Sequence, residues 1–241
     1  MSPSSNLARI FEDVIDDQNW SVIFEAPNHL FELRSSIPRP AASLIKLAIV
    51  NQALENLDFA EQIIVADLPE TQFPSILTAM GEMITVEQAC AISLITSDNA
   101  AASWLINRLG GPQVITSRMQ QEGLTDSLLV SSFNDSDLLT GETDKNLTSA
   151  RDAQAMLQQA AQGLRQKKWL LNNLINSRIP ALLPSGLPVL HKTGTLNGAV
   201  HDIAIICDNP RWSLTLISEN QFQAARTSLK MAEMAFGVRN C

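Results

Sequence analysis

The apolar pattern of this chain changes period twice along its length, and that alternation constrains the fold more than any other feature. Trp20 to Glu25 and His29 to Leu33 read as two strands joined at Pro27-Asn28. From Ser43 the spacing becomes helical and stays so through the middle of the chain. After Pro180 and Pro184 it reverts: Val189 to Thr195, Val200 to Cys207 and Trp212 to Ser218 read as strands, with tight turns at Asn197-Gly198 and Asp208-Asn209-Pro210. Strands at both ends with helices between them predict an α+β fold of two lobes. One antiparallel sheet comes from both termini and is flanked by helices, and an all-α lobe is inserted into it. The expected boundaries are 1–36 and 185–241 for the α/β lobe and 37–184 for the inserted lobe.

Within that frame, Asn6 to Ile15 and Gln221 to Phe236 have the spacing of terminal helices. Ser43 to Leu57 places Leu44, Leu47, Ala48, Ala53 and Leu54 on one buried face, so Ser43 falls in the first turn of a helix. Thr85, with Gln88 three places on, is a capping box opening a helix that carries Val86, Cys90 and Leu94 and arrives at Ser97. Another helix starts near Asn99 and stops at Gly110-Gly111-Pro112; Val114 to Gln121 follows, and Ser149 opens one from Ala150 to Gln162.

Composition narrows the possible activities. A chain of 241 residues, 45% hydrophobic, suits one large domain or two intimately packed lobes. Its net charge of -8 repels phosphate backbones and anionic membrane surfaces, so no nucleic-acid partner is expected. No apolar run reaches the roughly 18 residues of a membrane span, and none is expected. Met1 to Asn6 lacks the basic patch and apolar core of a secretion signal, which leaves an intracellular chain or one shown without its export sequence. Cys90, Cys207 and Cys241 have no CxxC spacing, and His29, His191 and His201 form no ligand cluster, so free thiols and no metal or organic cofactor are expected. A monomer is favoured.

Three short strings carry the chemistry: Ser43-Leu44-Ile45-Lys46, Ser97-Asp98-Asn99 and Lys192-Thr193-Gly194. Taken singly each has a bland explanation, since a serine three places before a lysine turns up about once by chance in a chain this long. Their ordered set is far more specific. A serine hydroxyl is a weak nucleophile and needs a base within reach, which Lys46 supplies from the same helical face as Ser43. For Lys46 to accept a proton its pKa must fall, and burial plus a second cation such as Lys192 both lower it. Ser97 can pass a proton to a departing nitrogen, Asn99 can bond a substrate amide, and Asp98 braces their turn. On a strand, Lys192, Thr193 and Thr195 can grip a carboxylate, with Gly194 letting substrate approach the backbone.

With these strings in place the chain resembles the serine β-lactamases of class A and the related penicillin-binding D,D-peptidases, whose signature is SxxK, SDN and KTG. The resemblance extends to Leu109-Gly110-Gly111-Pro112, to Thr148-Ser149-Ala150-Arg151-Asp152 and to His201-Asp202-Ile203. It implies the two-lobed fold of that family with the site in the cleft, and a β-lactam or D-alanyl peptide as substrate. It makes Ser43 the acylated nucleophile, Lys46 its base, Ser97 the proton relay, Asn99 a ligand for the side-chain amide, and Lys192 and Thr193 contacts for the carboxylate. Members of the family are usually periplasmic or secreted.

One departure concerns hydrolysis of the acyl-enzyme. Class A enzymes carry a glutamate in the loop between Gly123 and Ser149 that activates the deacylating water. Counting from Gly110-Gly111-Pro112 and Gly123 without gaps, its place is taken by Phe133. Asp135, Asp137 and Glu142 are the acids of the same loop that can substitute. The main expectation is a β-lactam hydrolase. The alternatives are a D,D-peptidase-like protein that is acylated but clears slowly, and a non-catalytic penicillin sensor. A Ser-His-Asp esterase built on His201-Asp202 is weaker, because no GxSxG elbow exists.

Overall fold

The computed structural model describes residues 7, 9–71, 75–79, 81–133 and 145–240. A five-stranded antiparallel sheet runs through the molecule in the order β2-β1-β9-β8-β7. Its strands are β1 (Trp20–Ala26), β2 (His29–Leu33), β7 (Val189–Leu196), β8 (Ala199–Ile206) and β9 (Trp212–Ser218). The strand nearest the N-terminus and the last strand are neighbours, with Trp20 opposite Ser218 and Glu25 opposite Ser213. In the turn between β7 and β8, Gly198 takes φ +77, a conformation glycine adopts without strain.

Alternation along each strand decides which layer a side chain joins. Val22, Phe24, Ala204, Ile206, Leu214 and Leu216 face one layer, where Met231, Met234, Ala235 and Val238 of the C-terminal helix close a core. Ile23, Ile203, Ile205, Leu190 and Ile217 face the other layer and merge with the apolar faces of the central helices. All eight residues of β8 are buried, as expected of a strand covered on both sides.

The helices are α1 (Glu12–Ile15), α2 (Lys46–Asn56), α3 (Val86–Ile95), α4 (Asn99–Arg108), α5 (Pro112–Gln121), α6 (Ala150–Ala160), α7 (Leu164–Leu171) and α8 (Ala224–Arg239). The expected capping box of α3 is formed: Gln88 N donates to Thr85 Oγ1 at 3.2 Å and Thr85 N to Gln88 Oε1 at 2.8 Å. Asp98 and Ser149 cap α4 and α6 in the same way, their side chains accepting from Ala101 N and Asp152 N.

Two features differ from the reading of the sequence. First, α2 is buried on every side from Lys46 to Ala53, rather than along one face. The amide nitrogens of its polar positions bond to neighbouring helices: Asn51 Nδ2 donates to Met156 O and Gln159 Oε1, and Gln52 Nε2 to Ile115 O. Second, the helical stretch holds two small antiparallel ladders, β3 (Arg39–Pro40) with β6 (Leu147–Thr148) and β4 (Gln62–Ile64) with β5 (Met83–Thr85). Pairs of two or three residues carry too few positions for alternation to register. The start of the N-terminal helix expected at Asn6 lies outside the described residues, as does Cys241. Cys90 and Cys207 are free thiols.

Candidate active site

Ser43 lies in a 3-10 turn, Ala42–Ile45, that feeds directly into α2 at Lys46. The expected α-helical first turn is therefore wound more tightly, with Leu44 N donating to Ala41 O at 3.1 Å. Ala42 adopts φ +46, a left-handed conformation that costs a non-glycine residue on the order of 1 kcal/mol. Strand β7 packs against this turn. A Cβ added to Gly194 would stand 3.0 Å from the His201 ring, 3.1 Å from Ala42 Cβ and 3.3 Å from Leu44 Cγ. The close approach that Gly194 permits is thus between β7 and the turn that presents Ser43. The Ser43 side chain is half-buried, and its hydroxyl has no hydrogen-bond partner among the described residues.

Two buried lysines converge on the Ser97 turn from opposite sides. Lys46 Nζ donates to Ser97 O and to Asn99 Oδ1, both at 2.6 Å, and Lys192 Nζ donates to Ser97 Oγ at 2.9 Å and to Thr193 O at 2.9 Å. Ser97 holds φ +64, which turns its carbonyl toward one lysine and its hydroxyl toward the other. Burial, reinforced by the charge of Lys192 and opposed by Asp98, holds the Lys46 ammonium well below the ordinary lysine range. Burial and the nearby Arg178 guanidinium lower Lys192 to about 7, against the opposing pull of Asp202. A neutral amine has two N–H groups and one lone pair. With both N–H groups of Lys46 committed to Ser97 and Asn99, the lone pair is the part left to take a proton. With Lys46 donating to it, Asn99 Oδ1 faces inward, which leaves Asn99 Nδ2 as a donor for a ligand carbonyl.

Asp98 braces the turn as expected: Oδ1 accepts from Ala101 N at 2.9 Å and Oδ2 from Ser75 Oγ at 2.7 Å. Arg178 escaped the sequence reading. It is 5% exposed, and its guanidinium donates to Gly194 O at 2.8 Å, to His201 O and to Thr195 Oγ1. Desolvation lowers its pKa and Asp202 opposes the shift. By donating to the oxygen of exposed Thr195, it leaves the hydroxyl proton of that threonine free to point at a ligand. Nothing in Ser177-Arg178-Ile179-Pro180 signals this role, because every partner of Arg178 belongs to β7 or β8.

His201 is excluded as a general base. It is fully buried, its Nε2 faces Pro40 O at 2.7 Å and its Nδ1 faces Ser218 N at 3.2 Å, which fixes the neutral tautomer with both ring nitrogens occupied. Burial lowers its pKa to about 4. Asp202 bonds instead to His191 Nδ1, at 3.1 Å, and to Ile179 N, at 3.0 Å. The Ser-His-Asp alternative therefore has no geometric basis.

Phe133 lies over Lys46. Its ring centroid lies 4.5 Å from Lys46 Nζ, its side chain is 4% exposed, and its N–H donates to Ser103 Oγ at 2.9 Å. The aromatic ring covers that side of the amine with apolar surface, and its face attracts the lysine whenever it carries charge. The acids considered as substitutes, Asp135, Asp137 and Glu142, lie outside the described residues.

A sequence model of the Beta-lactamase enzyme family matches residues 6–235. Beta-lactamase CARB-3 of Pseudomonas aeruginosa is 27% identical over 236 residues, covering 94% of this chain and 80% of that protein. Among solved structures, an ancestral (GNCA) class A β-lactamase superposes with a TM-score of 0.82 at 21% identity, covering 98% of both chains. PBP-A superposes with a TM-score of 0.81 at 19% identity, over 99% of this chain and 96% of that one. These likenesses establish the fold: mixed helices and an antiparallel sheet arranged as in the class A β-lactamases.

Proposed function

This chain belongs to the beta-lactamase enzyme family, and from that premise we propose that it is a serine hydrolase cleaving β-lactams through an acyl-Ser43 intermediate. Neutral Lys46 takes the hydroxyl proton of Ser43 as Oγ attacks the lactam carbonyl carbon. When the carbon–nitrogen bond breaks, the Ser97 hydroxyl gives its proton to the departing nitrogen and is resupplied by Lys192 Nζ, which donates to it, while Lys46 keeps the proton taken from Ser43 and solvent exchange restores both lysines. Lys192, Thr193 and Thr195 receive the substrate carboxylate, and Asn99 Nδ2 receives the carbonyl of its side-chain amide. Gly194 keeps β7 close against Ser43. Water then releases the acyl group. We assign the cleft to the junction of the lobe formed by 1–36 and 185–241 with the inserted lobe of 37–184.

The observation that carries this reading is the Lys46 arrangement: a buried lysine with lowered pKa, tied to the second string and one helical turn from the serine. Incubation with penicillin G followed by intact mass measurement tests it. An increase by the mass of the antibiotic is expected in the parent and absent in Ser43→Ala. No increase, or an increase that survives that substitution, overturns the reading.

The relatives carry β-lactamase names and favour hydrolysis to completion. Phe133 favours a second reading of the last step alone. With an aromatic ring on Lys46 where a glutamate is expected, acylation proceeds and release is slow, as in a penicillin-binding peptidase acting on D-alanyl peptides. The lifetime of the adduct separates the two: clearance within seconds belongs to a β-lactamase, persistence for hours to the peptidase-like form.

A further inference from the structure

We propose that the exposed face of α8 is a self-complementary interface, through which two copies of this chain pair antiparallel about a two-fold axis at Leu229. The sequence favours a monomer, and the outer face of this helix departs from that expectation. The proposal stands independently of the serine-hydrolase reading.

One face of α8 serves the core, where Thr227, Met231, Met234, Ala235 and Val238 are buried. The opposite side carries large apolar residues in water: Phe222 is 72% exposed, Leu229 52% and Phe236 51%. A single exposed apolar residue needs no explanation. These three, however, recur with Arg226 and Glu233 in alternating steps of four and three, which is the seam spacing of paired helices. Phe222 precedes the helix, yet it lines one groove of about 550 Å³ together with Arg226, Leu229 and Glu233, so it continues the same stripe.

The ring of Phe222 is held outward by its surroundings. Gln221 N donates to Gly198 O at 2.8 Å, and a Cβ added to Gly198 would stand 2.9 Å from the Phe222 ring. An aromatic side chain fixed in this way loses little freedom when a partner covers it.

The order of residues along the stripe selects that partner. Reversed about Leu229, the stripe maps onto itself: Leu229 meets Leu229, Phe222 meets Phe236 of the second copy, and Arg226 comes within one residue of its Glu233. Each unlike contact then occurs twice. A parallel pair would set Arg226 against Arg226 and Glu233 against Glu233, and an anionic lipid surface that attracts Arg226 would repel Glu233. Among the described residues, neither Arg226 nor Glu233 has an ion pair or hydrogen bond from its side chain within its own chain. Lys230, the next cation of the helix, is engaged over the Trp20 ring at 5.5 Å.

A helix of 16 residues is about 24 Å long, and one face of it buries less than a standard interface. The expected dimer is therefore weak, with a Kd on the order of 10 µM. Pairing leaves both active sites open, because α8 closes the layer of the sheet opposite the one joined by Leu44 and Ile45 of the Ser43 turn.

Sedimentation velocity on the full chain tests the proposal. In about 0.15 M salt the net charge of -8 is screened beyond roughly 8 Å, so contact chemistry decides the outcome. The average mass is expected to rise from that of one chain toward that of two between about 1 and 200 µM, the range that brackets the expected Kd. Arg226→Glu and Glu233→Arg should each weaken pairing about tenfold or more, since each sets like charges together twice per dimer. The double exchange should recover affinity to within about threefold of the parent, because both pairs return with their signs reversed. Leu229→Glu should keep the chain monomeric throughout. All three positions are exposed, so the fold is expected to survive each change, and an unaltered far-ultraviolet circular dichroism spectrum checks this. A parent that stays monomeric at about 200 µM, a Leu229→Glu variant that still pairs, or a double exchange no stronger than the single ones overturns the proposal.

Discussion

At the scale of single residues, the site is a problem in keeping two ammonium groups buried within reach of one serine backbone. Lys46 and Lys192 share Ser97, one through its carbonyl and one through its hydroxyl, so neither is left without a partner. Arg178 adds a third buried cation, which lowers the Lys192 pKa and orients Thr195. Replacing Arg178 by alanine should raise KM about tenfold for a carboxylate-bearing β-lactam, by loss of the oriented hydroxyl and of nearby positive charge. Acylation by an ester lacking that carboxylate should change less. The pH at which carboxylate binding declines, expected near the Lys192 value of about 7, should also move upward, because a repelling charge has gone. Rates measured from pH 6 to pH 9 on the parent and on Arg178→Ala check the direction.

At the scale of elements, the decisive contact is between β7 and the 3-10 turn of Ser43. Gly194→Ala is expected to cost about 1–3 kcal/mol of stability, since Ala42 and the His201 ring leave no room for a methyl group. Acylation should slow along with it as β7 moves away from Ser43; urea unfolding and adduct formation, measured together, check both. Much of this element structure was legible in the sequence. Thr85 with Gln88 announced α3, Ser149 announced α6, and the terminal strands showed their alternation, because capping and periodicity are local signals. The three strings likewise pointed to Ser43, Lys46, Ser97 and Lys192. What the sequence hid depends on contacts between distant segments. Arg178 bonds to strands 16 to 23 residues away, Asn146 to Ala41 across the fold, and α7 has no capping side chain to mark its start.

For the whole molecule, burying Lys46 and Lys192 makes stability depend on pH with a definite sign. The native pKa of Lys192, about 7, lies below its ordinary value of 10.5, so between those limits the unfolded chain binds more protons than the folded one. This contribution is fully present above the unfolded value and is lost as pH falls through the native one. Lys192→Met should therefore gain stability over the parent at pH 6, with the difference shrinking as pH rises toward 10; denaturant unfolding at each pH reads it. A separate consequence follows from the pairing of Trp20 with Ser218. On the ribosome, β1 and β2 emerge early yet remain a lone hairpin of marginal stability until β9 has been synthesised. A nascent chain halted before Trp212 has no partner for the inner edge of β1, so arrested fragments should be open to proteases and to chaperones until translation is nearly finished.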